Sequence, residues 1–98
     1  MNVLVTYDVS TLTKAGRRRL RRVARACEDF GQRVQCSVFE CVLGETELVR
    51  LRNRLLDEIK PDEDSLRLYH LHASFRDESM VERFGRDKAI DFEGPLIA

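Results

Sequence analysis

Val3, Val5 and Tyr7 alternate with Leu4, Thr6 and Asp8, a period of two that predicts a strand ending in an acid. Ser10-Thr11-Leu12-Thr13 follows as a polar connection whose hydroxyls can cap a helix. Leu20, Val23, Ala24 and Cys27 are spaced i, i+3, i+4, i+7, which predicts a helix with one apolar stripe. Phe30-Gly31 closes it, with the glycine free to take a left-handed cap. Arg33–Cys36 and Ser37–Leu43 read as two short strands joined by a tight turn or bend near Cys36-Ser37, where no glycine or proline marks the corner. After Gly44, the residues Leu48, Leu51, Leu55 and Ile59 share one helical face, and Leu56 widens it. Glu45 and Glu47 suit the dipole at its start, and Pro61 stops it. Asp62-Glu63-Asp64 is a turn. In Ser65–Ala73, a further strand, Leu66 and Leu68 alternate with Arg67, Tyr69 and Leu71. The charged tail from Phe75 ends in Ala89–Ile97, where Ile90 and Phe92 alternate as a short extra strand; its pairing edge could belong to another subunit.

The order β-α-β-β-α-β is the split βαβ pattern of ferredoxin-like α+β folds. Both helices then cover one sheet face, and a homodimer stacked through the sheets is the natural cover for the other. Ninety-eight residues make one domain, residues 1–98, of which 76–98 form a C-terminal tail carrying the short strand.

Composition refines this picture. With 43% apolar and 35% charged residues the chain is globular rather than disordered. Cys27, Cys36 and Cys41 are odd in number and lack CxxC spacing, which argues against a zinc site or a disulfide framework. No signal-peptide core and no apolar run of membrane-spanning length is present, so a cytoplasmic protein with no membrane contact is expected.

The formal net charge is zero, but it is unevenly spread. Lys14 to Arg33 carries eight cations against two acids, and Asp57 to Ala98 eleven acids against six cations. Such asymmetry points to a polyanion on one side of the fold; the alternative is a solvated helix face.

Asp8 is the candidate chemical centre. A single carboxylate cannot hold a catalytic Mg²⁺, which wants six oxygens. Two copies related by a two-fold axis could bring two Asp8 carboxylates together around one metal, able to polarise a phosphodiester and supply hydroxide. The other reading is that Asp8 caps the turn after the strand. Arginines of the first helix suit bidentate phosphate contacts, and Arg33 and Phe39 could flank the same site, although for Phe39 alone core packing is the favoured reading. His70 and His72 form an HxH pair on one strand face without further zinc ligands at suitable spacing.

Tyr7-Asp8-Val9, the run Gly31-Gln32-Arg33-Val34-Gln35-Cys36-Ser37-Val38-Phe39-Glu40-Cys41 and the terminal Ile90-Asp91-Phe92-Glu93-Gly94-Pro95-Leu96 resemble the Cas-two family of CRISPR spacer-acquisition proteins. The tail resembles that of members in type I-C systems. The resemblance implies a ferredoxin-like homodimer with one Mg²⁺ between paired Asp8 carboxylates. It implies a metal-dependent endonuclease on single-stranded RNA or double-stranded DNA, and a central adaptor that docks integrase subunits during spacer insertion. Tyr7, with Asp8, then falls at a catalytic position. Arg33, Phe39 and, as a group, Arg17, Arg18, Arg21 and Arg22 become the nucleic-acid contacts. A non-catalytic DNA-binding scaffold and a regulatory module for a small metabolite are the competing readings.

Overall fold

The computed structural model describes residues 1–71 and 81–86. Seven elements follow in order: β1 (Asn2–Asp8), α1 (Lys14–Phe30), β2 (Gly31–Gln35), β3 (Val38–Val42), α2 (Glu45–Glu58), β4 (Ser65–Leu71) and β5 (Val81–Gly85). They form one antiparallel sheet in the order β2-β3-β1-β4-β5. The first six elements are the expected α+β ferredoxin-like pattern. The apolar, β-branched sequence of β1 suits it to the central place, flanked by β3 and β4.

Cross-strand partners share a sheet face, so the register sorts the side chains. Val3, Val5 and Tyr7 lie opposite Cys41, Phe39, Leu68 and Leu66, and all seven are buried. Val23, Ala26 and Cys27 of α1 and Leu48, Leu51 and Leu55 of α2 complete this core. Thr13 caps α1 by accepting from the Gly16 N–H at 3.0 Å. Gly16 itself is required, because a Cβ there would lie 2.0 Å from the Ser10 carbonyl oxygen.

The second face carries Leu4, Thr6, Asp8, Val38, Glu40, Arg67 and Tyr69. Its end near Asp8 is well covered, with Thr6, Val38, Ser65 and Arg67 buried, whereas Val42 at the other end is 73% exposed.

Three expectations are corrected. Gly31 does not take a left-handed cap: its φ is −164°, and it opens β2 directly. A side chain there would strike Glu40 O and Cys41 Sγ, so the glycine serves a close approach rather than a turn. Leu56 faces solvent instead of widening the α2 stripe. The charged segment after Phe75 contains β5, which pairs with β4 of the same chain, Leu66 opposite Phe84 and Leu68 opposite Glu82. Residues 87–98, with the expected Ile90/Phe92 strand, and His72 lie outside the described residues.

Candidate nucleic-acid site

Asp8 stands at the last position of β1, opposite Ser65 of β4, on the face away from the helices. Its side chain is 47% exposed, and the Arg86 Nη2 lies 4.0 Å from its Oδ2. It lines a pocket of about 200 Å³ with Thr6, Tyr7, Gln35, Ser37, Val38, Ser65 and Arg67. A carboxylate, two serine hydroxyls, an amide and a guanidinium thus meet at one strand end, a set suited to a phosphodiester and a water.

Tyr7 points to the opposite, core side. Its hydroxyl donates to the Cys36 carbonyl oxygen at 3.3 Å, and its ring packs on Phe39 with centroids 6.2 Å apart. Burial pushes its phenol up to about 12, with neighbouring Cys27 adding to the effect, so it stays protonated through the neutral range. Phe39 is fully buried, and the Arg33 guanidinium carbon sits 4.9 Å from its ring centroid. Arg33 Nη1 also donates to Cys36 O at 2.8 Å, and Arg33 Nη2 lies 3.5 Å from Glu28 Oε1. Tyr7, Arg33 and Phe39 are therefore brought together, around the 36–37 corner. The Phe39 side chain reaches the core, not the pocket.

On α1, Lys14, Arg18, Arg21 and Arg25 recur at i, i+4, i+7 and i+11 and form one exposed stripe opposite the buried Val23 and Cys27. Arg17 Nη1 donates to Thr11 O at 3.2 Å, and Arg22 Nη1 approaches Glu58 Oε2 at 3.9 Å. Arg17 and Arg22 are thus partly engaged, while Arg18 and Arg21 have no ion pair among the described residues.

The residue that sequence reasoning passes over is Asp64, placed in a turn. It is fully buried and accepts from Ser10 N, Lys60 N, Arg19 Nε and Arg19 Nη2 at 3.1, 2.8, 2.8 and 3.3 Å. Burial pushes its carboxyl up, but the Arg19 hydrogen bond and the two backbone donors outweigh it, so the net shift is downward. Its own carbonyl accepts from the Arg86 N–H at 2.8 Å. Asp64 therefore ties the loop before α1, the end of α2 and the end of β5 together. The only sequence signal is an acid directly before a core strand.

At the other end of the sheet, Glu82 Oε2 lies 2.6 Å from His70 Nε2 and 2.8 Å from Arg52 Nη2. Burial raises the Glu82 carboxyl, yet the Arg52 and His70 hydrogen bonds outweigh it and the net shift is downward. His70 is thus an ion-pair partner between strands. Among the described residues no group of three His, Cys, Asp or Glu side chains could hold a metal ion. The described residues of one chain by themselves do not fit Mg²⁺: beside Asp8 they offer a guanidinium and no second carboxylate in the pocket. No helix among the described residues is long and apolar enough to cross a membrane.

A split βαβ sheet with a half-exposed strand-end carboxylate and an arginine-striped helix defines a small α+β domain. The family model described as CRISPR associated protein Cas2 matches residues 1–78. The chain belongs to this family. It is 52% identical over 97 residues to the CRISPR-associated endoribonuclease Cas2 of Nitratidesulfovibrio vulgaris, covering 99% of this chain and 93% of the relative. The endoribonuclease Cas2 of Chlorobaculum tepidum is 53% identical, with 99% of both chains covered. The crystal structure of Streptococcus pyogenes Cas2 at pH 6.5 superposes with a TM-score of 0.69 at 53% identity, covering 78% of this chain and 92% of that one.

Proposed function

We propose that the chain is a nuclease that hydrolyses phosphodiester bonds of single-stranded RNA or double-stranded DNA, with Asp8 as its catalytic carboxylate. The observation that carries this reading is the half-exposed Asp8 carboxylate at the mouth of a pocket that also holds Arg67. Asp8 can take a proton from the attacking water, while guanidinium groups offset charge on the phosphorane-like oxygens. Relatives named endoribonuclease, and one from Halalkalibacterium halodurans named endonuclease, support the class of reaction.

A homodimer joined through the second sheet face would pair two Asp8 residues. Two carboxylates with waters suit one Mg²⁺, which when bound would polarise the phosphate and acidify water. The buried Tyr7 acts in this reading as a positioning residue that holds the strand end. The test is a cleavage assay on both nucleic acids, with and without Mg²⁺, for the wild type and Asp8→Asn. Loss of cleavage in a dimer that still folds is expected; full activity in repurified Asp8→Asn would sink the reading.

A second reading, a non-catalytic adaptor that grips duplex DNA between integrase subunits in CRISPR adaptation, draws on the α1 stripe. Lys14, Arg18, Arg21 and Arg25 face solvent together without an ion pair among the described residues. Cleavage and gripping use different parts of the surface, so Asp8→Asn tests the first reading and charge reversal on α1 the second.

A further inference from the structure

The Asp8 pocket does not end at Arg67. A second cleft of about 230 Å³ shares Ser65 and Arg67 with it and runs on along Arg83 and Arg86. We infer that Arg83 and Arg86 form a phosphate track that holds the backbone of a bound nucleic acid on one side of Asp8. This inference rests on the proposed phosphodiesterase reading and names the substrate subsite that reading lacks.

Three observations carry it. Arg67 and Arg83 are register partners across β4 and β5, so two guanidinium-bearing side chains rise from the same face at the same level. Like charges directly opposite one another are unfavourable in a sheet, and an anion beside the exposed Arg83 offsets that interaction. Arg83 is exposed and has no ion pair among the described residues.

The backbone beneath Arg86 is built rather than loose. Gly85 has φ +91°, and a Cβ there would lie 2.2 Å from the Asp64 carbonyl oxygen. That same oxygen accepts the Arg86 N–H at 2.8 Å. A glycine-specified turn thus pins Arg86 to the buried Asp64 hub and aims its side chain along the groove.

The approach of Arg86 to Asp8 is a loose one, at 4.0 Å between side chains that are 45% and 47% exposed. Exposed pairs of this kind contribute little. A phosphate offers Arg86 a bidentate partner of better geometry, and Arg86 gives up its loose approach to Asp8 in the same movement. The other use of arginines on an outer strand is to block edge-to-edge pairing; it explains the charge, not the aim of Arg86 toward Asp8.

The test is fluorescence anisotropy with a labelled 12-nucleotide single-stranded RNA, in the Asp8→Asn background so that no cleavage intervenes, across a salt series. Arg83→Gln and Arg86→Gln should each weaken binding roughly fivefold and flatten the salt dependence by about 0.7 in log–log slope. Arg50→Gln, on the exposed side of α2, should leave both unchanged. Unchanged affinity and slope in Arg83→Gln and Arg86→Gln, with or without aggregation, would overturn the track. An equal loss in Arg50→Gln would also overturn it, since only long-range charge would then be at work. The phosphodiesterase reading fails separately, by full cleavage in Asp8→Asn; the anisotropy series is then run on a cleavage-resistant 2′-O-methyl phosphorothioate RNA of the same length, which keeps the two failures distinguishable.

Discussion

The hydroxyl of Tyr7 and the guanidinium of Arg33 converge on one acceptor, the carbonyl oxygen of Cys36, at 3.3 and 2.8 Å. The Tyr7 N–H adds a bond of 3.2 Å to the Ser37 carbonyl. The corner between β2 and β3 has neither glycine nor proline, and these side chains close it instead. Position 7 is thereby locked to the hairpin, and Asp8 is held one residue further on.

Tyr7→Phe keeps the ring on Phe39 and loses one hydrogen bond to a carbonyl that Arg33 still satisfies. The expected cost is about 1 kcal/mol, with cleavage within roughly threefold of wild type for a group that acts only by position. Tyr7→Ala should cost about 3–5 kcal/mol through the cavity it opens. Urea denaturation gives both costs. A folded Tyr7→Phe protein without cleavage would instead make the hydroxyl a chemical participant.

Alkaline pH should unfold the domain early. Burial pushes the Cys27 thiol up to about 12 and the Cys41 thiol up to about 11, against 9.0 in the unfolded chain, and Tyr7 up to about 12 against 10.0. The folded state keeps these protons longer, so the stability present below pH 9 drains away as pH rises from 9 towards 12. Denaturation midpoints at successive pH values would show the fall. At about pH 8 a thiol reagent should label one cysteine in the native protein, the exposed Cys36, and three after unfolding.

Asp64→Ala should be among the most damaging single changes. It takes from the Arg19 guanidinium, whose side chain is 16% exposed, its closest partner, leaving it the 3.3 Å contact with Glu63, and leaves the N–H groups of Ser10 and Lys60 without their acceptor. Breaking a buried pair this way costs about 3–5 kcal/mol. Arg19→Met should cost less, because two backbone donors still serve the carboxylate. The Asp64 carboxyl is lowered on folding, so its contribution is full above the unfolded value of 3.8 and is lost as pH falls below it. Acid titrations of the wild type and Arg19→Met should separate in that window.

Reversing charge at Arg18 and Arg21 together should weaken binding to duplex DNA and flatten its salt dependence by about 0.9 for each phosphate no longer neutralised. Neither side chain has an ion pair among the described residues, so thermal stability should stay within about 1 kcal/mol. Anisotropy on a duplex and a melting curve read the two effects independently. Unchanged salt dependence would remove α1 from the interface.

Much of the fold is legible in the sequence because its burial is periodic. The alternation of Val3, Val5 and Tyr7 and the stripe of Leu20, Val23 and Cys27 announce their elements directly. β5 is not, since Glu82 and Arg83, with Arg86 just beyond, give Val81–Gly85 the look of a solvated tail; its pairing is fixed by Phe84 meeting Leu66 and Glu82 meeting His70 and Arg52. Asp8 stands out by its position at the end of a core strand. Arg86 and Asp64 do not, because their roles depend on β5 and the α2–β4 turn closing beside β1, which joins segments more than 50 residues apart.

The central strand is made before either of its partners. Its neighbours β3 and β4 begin about 36 and 63 residues after it. At ordinary synthesis rates the second of these arrives roughly 3–13 s after β1 itself. Until β3 arrives, Val3-Leu4-Val5 has two unpaired edges, and a highly charged segment directly after such a strand disfavours self-association.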